Sequence, residues 1–193
     1  MSEEEFTKKE KEFLLQVARK SIDQYLKNGK IMDLQPGELV SERLMKDGAC
    51  FVSLHLKGNH ELRGCIGTLE AHIPLVLDVI NNAVGSAFED PRFYPLKREE
   101  FDKIKISISI LTEPKKVEIK DAEDLLDKLV PNKHGLLIKK GLAQATFLPV
   151  VWEQLKKKEE FLEHLCMKAG FGKNEWKEPG MSFYFYEAIE FEE

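Results

Sequence analysis

Arg63 and Cys65 are the side chains whose types and spacing most directly suggest chemistry. They lie in the run Glu61-Leu62-Arg63-Gly64-Cys65-Ile66-Gly67-Thr68, which reads as part of a strand over residues 61–69. Strand alternation puts Leu62, Gly64 and Ile66 on one face and Arg63, Cys65 and Gly67 on the other. A guanidinium beside a sulfur favours the thiolate, the form in which cysteine is a nucleophile near neutral pH. The two glycines add a second signal, since glycine inside a strand marks a bulge or a close backbone approach. Together with Arg63, bare backbone at Gly64 and Gly67 suits a carboxylate or phosphate ligand. The bland alternative is that Cys65 is a small buried hydrophobe.

Hairpin register bears on the choice. Residues 50–56 form a preceding β-rich run, and Gly58-Asn59 is a turn signal. A two-residue loop pairs Val52 with Cys65 and Ser53 with Gly64. A three-residue loop pairs Ser53 with Cys65 and His55 with Arg63, because a one-residue slip exchanges the faces. Both registers remain open at the level of sequence.

The segment Glu89-Asp90-Pro91-Arg92-Phe93 stops a helix and carries an Asp-Arg pair. It reads either as a local surface ion pair or as part of a site lined by Asp90 and Arg92. The five histidines show no metal-ligand spacing. His72, shortly after Cys65, is the best-placed general base. Cys166 reads as core. No Walker loop or dinucleotide fingerprint occurs, so no cofactor is expected. Gly64-Cys65-Ile66-Gly67 has the G-x-x-G form of an RNA-clamping loop, but lacks basic interior residues and a preceding helix.

These residues need elements to position them. The 193 residues carry 42% hydrophobic and 33% charged residues, a globular composition. The net charge of -5 argues against nucleic acid and against an anionic membrane surface. Three cysteines with wide spacing suit a reduced, cytoplasmic protein, and an acidic start lacks the pattern of a secretory signal. No apolar run has the length of a membrane span.

Residues 4–26 read as an amphipathic helix ended by Asn28-Gly29, and residues 75–88 as a second helix entered at Pro74 and separating two strand-rich lobes. Residues 104–111 alternate Ile with polar residues at period two, a half-buried strand. Residues 121–129 read as a short helix, 135–139 and 142–147 as strands, 149–170 as a helix pair and 182–191 as one final strand. Hairpin-linked strands among helices predict an α+β fold, with a cleft between lobes as the natural place for a site.

The run Leu62-Arg63-Gly64-Cys65-Ile66-Gly67 resembles the signature of the AMMECR family. The resemblance continues in Ala87-Phe88-Glu89-Asp90-Pro91-Arg92-Phe93, in Ala145-Thr146-Phe147-Leu148-Pro149 with Val151-Trp152, and in the stretch from Phe161 to Gly170. It covers the chain from first helix to final strand and implies one AMMECR-like domain over residues 1–193. It also implies two similar strand-and-helix halves around one curved, mostly antiparallel sheet. The implied site is a cleft built on Arg63, Gly64, Cys65 and Gly67, with Asp90 and Arg92 beside it. Cys65 is the implied nucleophile, and the implied ligand is an unidentified small molecule or peptide. Prokaryotic members belong to the AmmeMemoRadiSam system, which implies a Memo-type protein and a radical S-adenosylmethionine enzyme as partners. Residues 141–146 lack a basic cluster, a further argument against nucleic acid. The rival expectation is a non-catalytic interaction domain of that system.

Overall fold

Thr7 and Glu10 start the first helix by capping one another. Thr7 Oγ1 accepts the Glu10 N–H at 3.3 Å and Glu10 Oε2 accepts the Thr7 N–H at 2.8 Å. The helix, α1, spans Lys8–Asn28 and ends at Gly29, whose φ of 68° is left-handed backbone that glycine adopts without strain. This computed structural model describes residues 6–34, 37 and 39–193, so the expected helix start at Glu4 lies outside the described residues.

The remaining elements are β1 (Ala49–Leu56), β2 (Leu62–Gly67), α2 (Leu75–Phe88), β3 (Ile104–Leu111), β4 (Lys115–Val117), α3 (Ala122–Lys128), β5 (Gly135–Lys140), β6 (Ala143–Phe147), α4 (Lys158–Lys168), β7 (Ser182–Tyr186) and β8 (Ala188–Glu192). The fold is α+β. Its strands divide into two four-stranded sheets, ordered β2-β1-β3-β8 and β4-β7-β5-β6, rather than one curved sheet. The expected final strand breaks at Glu187, and its halves enter different sheets.

Two compact units follow from this division. The first holds the chain up to Leu111 together with Ile189–Glu193; the second holds Thr112–Ala188. In the first unit α1 and α2 pack together on one face of the sheet, so α2 belongs to this unit instead of separating two lobes. Ile104, Ile106 and Ile108 of β3 are fully buried in its core, while Lys105, Ser107 and Ser109 on the alternate face are only half-buried. In the second unit Trp152 and Phe161 stack at 3.8 Å within a core that also buries Cys166. Instead of a helix pair, residues 149–170 form a short 3-10 turn at Pro149–Glu153 followed by α4.

Candidate functional site

Cys65 lies on β2, the edge strand of the first sheet. Its partner across β1 is Ser53, as in the three-residue-loop register. The register then shifts between Leu54 and His55, so that Leu54 faces Gly64 and His55 faces Leu62. Arg63 is therefore the extra residue of a bulge, and a bulge re-aims the side chain it carries. The expected pairing of His55 with Arg63 does not form for this reason.

An edge strand leaves alternate N–H and C=O groups without a strand partner. At Cys65 these groups are met by the helix-stop segment. The Cys65 N–H donates to Asp90 Oδ2 at 2.8 Å, and Arg92 Nη2 donates to the Cys65 carbonyl at 3.2 Å. Asp90 and Arg92 pair with one another through Arg92 Nε to Oδ1 at 2.9 Å and Nη2 to Oδ2 at 2.7 Å. The carboxylate is buried, while the arginine side chain is 55% exposed. Arg92 above all, with the backbone donors of Cys65 and Arg92, holds the Asp90 carboxyl down at about 2. In return Asp90 pushes the Arg92 guanidinium further up, and the nearby Cys65 side chain adds to this in smaller measure.

Cys65 is half-buried, and the Ser53 hydroxyl donates to its sulfur at 3.2 Å. Cys50 and Cys166 are fully buried, and desolvation pushes both thiols up. Arg63 takes a different course from the one spacing suggests. Its Nε and Nη2 bind Glu100 at 2.8 and 3.1 Å, and Nη2 also donates to the Tyr94 carbonyl at 2.9 Å. Arg92 is thus the guanidinium beside Cys65, and Arg63 ties the Phe93–Tyr94 segment to β2.

Both glycines serve the protein's own packing. A Cβ on Gly64 would lie 2.0 Å from the Ser86 carbonyl of α2, and one on Gly67 would lie 2.2 Å from the Phe51 ring. At both positions the protein's own atoms occupy the place of a side chain. His72 is exposed and sits 3.7 Å from Glu70, apart from the contacts made by Cys65.

A polar stripe on α2 completes the frame and escapes a reading of the helix as apolar. Asp78, Asn82 and Ser86 recur every fourth residue and are all buried. Asp78 accepts the Cys50 N–H at 2.9 Å and the Thr68 hydroxyl at 2.6 Å. Asn82 donates to the Cys50 carbonyl at 3.2 Å, and Ser86 Oγ accepts the Ile66 N–H at 2.9 Å. The Ser86 hydroxyl also lies 2.6 Å from the Val52 carbonyl and so contacts both members of the Val52–Ile66 pair of β1 and β2. Three short polar residues at i, i+4 and i+8 in an apolar helix are the visible signal. Glu100, 37 residues from Arg63, carries none.

A model of the AMMECR1 family matches residues 15–191. The chain belongs to the AMMECR1 family. It is 37% identical to Protein MK0488 of Methanopyrus kandleri over 98% of this chain and 91% of that one. It is 36% identical to Protein MJ0810 of Methanocaldococcus jannaschii over 97% and 92%. The crystal structure of the uncharacterised protein PH0010 from Pyrococcus horikoshii superposes with a TM-score of 0.90 at 34% identity, covering 97% of this chain and 93% of that one. In this AMMECR1 domain, then, the two sequence motifs around Cys65 and Asp90 meet as one hydrogen-bonded unit. Among the described residues no group of three or more His, Cys, Asp or Glu is placed to hold a metal. No helix of the described residues is long and apolar enough to cross a membrane.

Proposed function

We propose that this domain binds a polar, anionic ligand beside Cys65 and uses the Cys65 sulfur as a nucleophile toward it. The observation that carries the reading is the placement of the Arg92 guanidinium, anchored by Asp90 against the Cys65 carbonyl and neighbouring the sulfur. Arg92 is the anion contact. Its Nη1 has no acceptor among the described residues, so one end of the fork is available to a ligand. Ser53 supplies a hydroxyl donor to the sulfur. Asp90 and Arg63 act by positioning: Asp90 fixes Arg92, and Arg63 holds the Tyr94 carbonyl. Gly64 and Gly67 admit α2 and Phe51, which set the strand that presents Cys65. The resemblance to the AmmeMemoRadiSam system supports a Memo-type protein and a radical S-adenosylmethionine enzyme as partners in the same pathway.

Iodoacetamide labelling at neutral pH, read by peptide mass spectrometry, tests the reading. Cys65 is expected to label faster than an unstructured cysteine peptide while Cys50 and Cys166 stay protected. Arg92→Gln is expected to slow Cys65 several-fold in a protein that circular dichroism shows to be folded. Labelling no faster than the peptide, and indifferent to Arg92→Gln, overturns it. A second reading, a non-catalytic interaction domain, draws on Tyr94, whose 87% exposed ring is the kind of anchor a partner buries. It expects Cys65→Ser to leave pathway output and partner binding unchanged.

A further inference from the structure

The first unit contains a concave region, lined by none of the residues around Cys65 and with a volume of about 580 Å3. Phe101 forms an apolar wall, and Arg19, Lys57, His60 and Lys105 bring cationic or imidazole groups to it. Arg19 is a preorganised anion receptor. Its Nη1 is fixed on the Phe101 carbonyl at 2.8 Å and its Nη2 on the Ile104 carbonyl at 3.0 Å. The fork so aimed already holds an anion, the side-chain carboxylate of Glu193, through Nε to Oε1 at 2.9 Å and a close Nη2 contact to Oε2. The Ile106 N–H completes the receptor with a 3.0 Å bond to the same Oε2. This is the side-on, two-oxygen geometry by which arginine recognises carboxylate and phosphate.

The next cation is occupied in the same manner, since Lys105 Nζ binds Glu192 Oε1 at 2.5 Å. Lys57 differs. Its ammonium donates to the Asp102 main-chain carbonyl at 2.9 Å and has no carboxylate partner among the described residues. Two carboxylates on successive residues thus sit on two of three lining cations, as the two acidic groups of one small molecule would. Glu193 lies just beyond β8, and its backbone is tied to the sheet by its N–H to the Ile106 carbonyl at 3.1 Å. Exchange of its side chain gives up the three hydrogen bonds from Arg19 and the Ile106 N–H, which an incoming anion remakes. With Glu193 displaced, Arg19, Lys57 and Lys105 face the lining carboxylate of Asp102 alone, apart from Glu192 on Lys105.

We propose that this cavity binds a small polyanion bearing two or more carboxylate or phosphate groups, one replacing the Glu193 carboxylate on Arg19 and the Ile106 N–H, another taken by Lys57 and Lys105. The site goes beyond the Cys65 reading and stands without it.

Isothermal titration of the full chain with citrate and, separately, with inorganic pyrophosphate in 0.15 M salt (roughly physiological ionic strength) tests the proposal. Saturable one-to-one binding of at least one probe is expected, tightened several-fold by Glu193→Gln and weakened at least tenfold by Lys57→Met with Lys105→Met. Citrate binding alone assigns a carboxylate ligand; pyrophosphate binding alone assigns a phosphate. The rate of Cys65 labelling is expected not to change with either probe, which separates this site from the other. Absence of saturable binding to Glu193→Gln overturns the proposal, provided that its heat-unfolding transition shows a folded protein. Equal binding to wild type and to the double lysine variant, whose heat-unfolding transition is read alongside because Lys105 is half-buried, overturns it as a general ionic effect.

Discussion

Asp90 Oδ2 accepts the Cys65 N–H at 2.8 Å and lies 2.7 Å from Arg92 Nη2. One buried carboxylate oxygen therefore holds both the backbone of β2 and the cation beside it. Asp90→Ala removes the acceptor, leaves an edge-strand donor unmet and sets Arg92 loose. It is expected to cost about 2–4 kcal/mol in urea unfolding, the range for breaking a buried, charge-assisted contact from one side. Asp90→Asn keeps an acceptor for Cys65 and should lose less, while still slowing Cys65 labelling.

Acid should uncover the same interaction. The folded Asp90 titrates at about 2. An unfolded aspartate titrates near pH 4, so the folded value is the lower one. The unfolded chain binds the proton first, and the stabilisation is complete above about pH 4 and is lost as pH falls toward 2. Its size is about 2 kcal/mol. Glu100, held down by Arg63, and Glu192, held down by Lys105, shift in the same direction. Unfolding free energies of wild type and Asp90→Asn should converge between pH 4 and pH 2, and curves that stay parallel across that window would contradict the assignment.

Gly64→Ala places a methyl 2.0 Å from the Ser86 carbonyl, a backbone atom of a packed helix. The helix must move, and a loss of about 3 kcal/mol or more is expected. Gly58→Ala is the control. Its Cβ would meet nothing within 4 Å, and the change should stay within about 0.5 kcal/mol. Thermal unfolding of the two variants side by side reads the difference.

The Arg63–Glu100 pair invites a double-mutant cycle. Arg63→Met and Glu100→Gln, singly and together, should give a coupling of about 1 kcal/mol, since the arginine is largely buried and the glutamate partly exposed. A coupling near zero would return Arg63 to the pool of ligand contacts.

Periodicity made much of the frame legible. The Ile and Ser alternation of residues 104–111 became β3 with its isoleucines buried, and Asn28-Gly29 ended α1 as glycine at a helix terminus does. Local pattern also placed Ser53 across from Cys65 as one of two open registers. It failed where geometry depends on residues far apart. The bulge at Arg63 and its partner Glu100 decide where that guanidinium goes; Gly64 signalled a bulge or a close approach without choosing between them, and Glu100 leaves no local trace. Gly64 and Gly67 announced a close approach, but not that the approaching atoms are Ser86 and Phe51. The aromatic run at residues 182–191 looked continuous because both halves are strands; only their hydrogen-bond partners separate them.

That separation also orders events on the ribosome. The fourth strand of the first sheet, β8, is made only after residues 112–187 have been made, although its neighbour β3 was finished at Leu111. Thr112 and Glu187, where the chain enters and leaves the second unit, are bonded through the Thr112 N–H to the Glu187 carbonyl at 2.9 Å. During synthesis β3 waits as an uncovered flank of sheet, open to pairing with any passing chain, until β8 arrives to cover it.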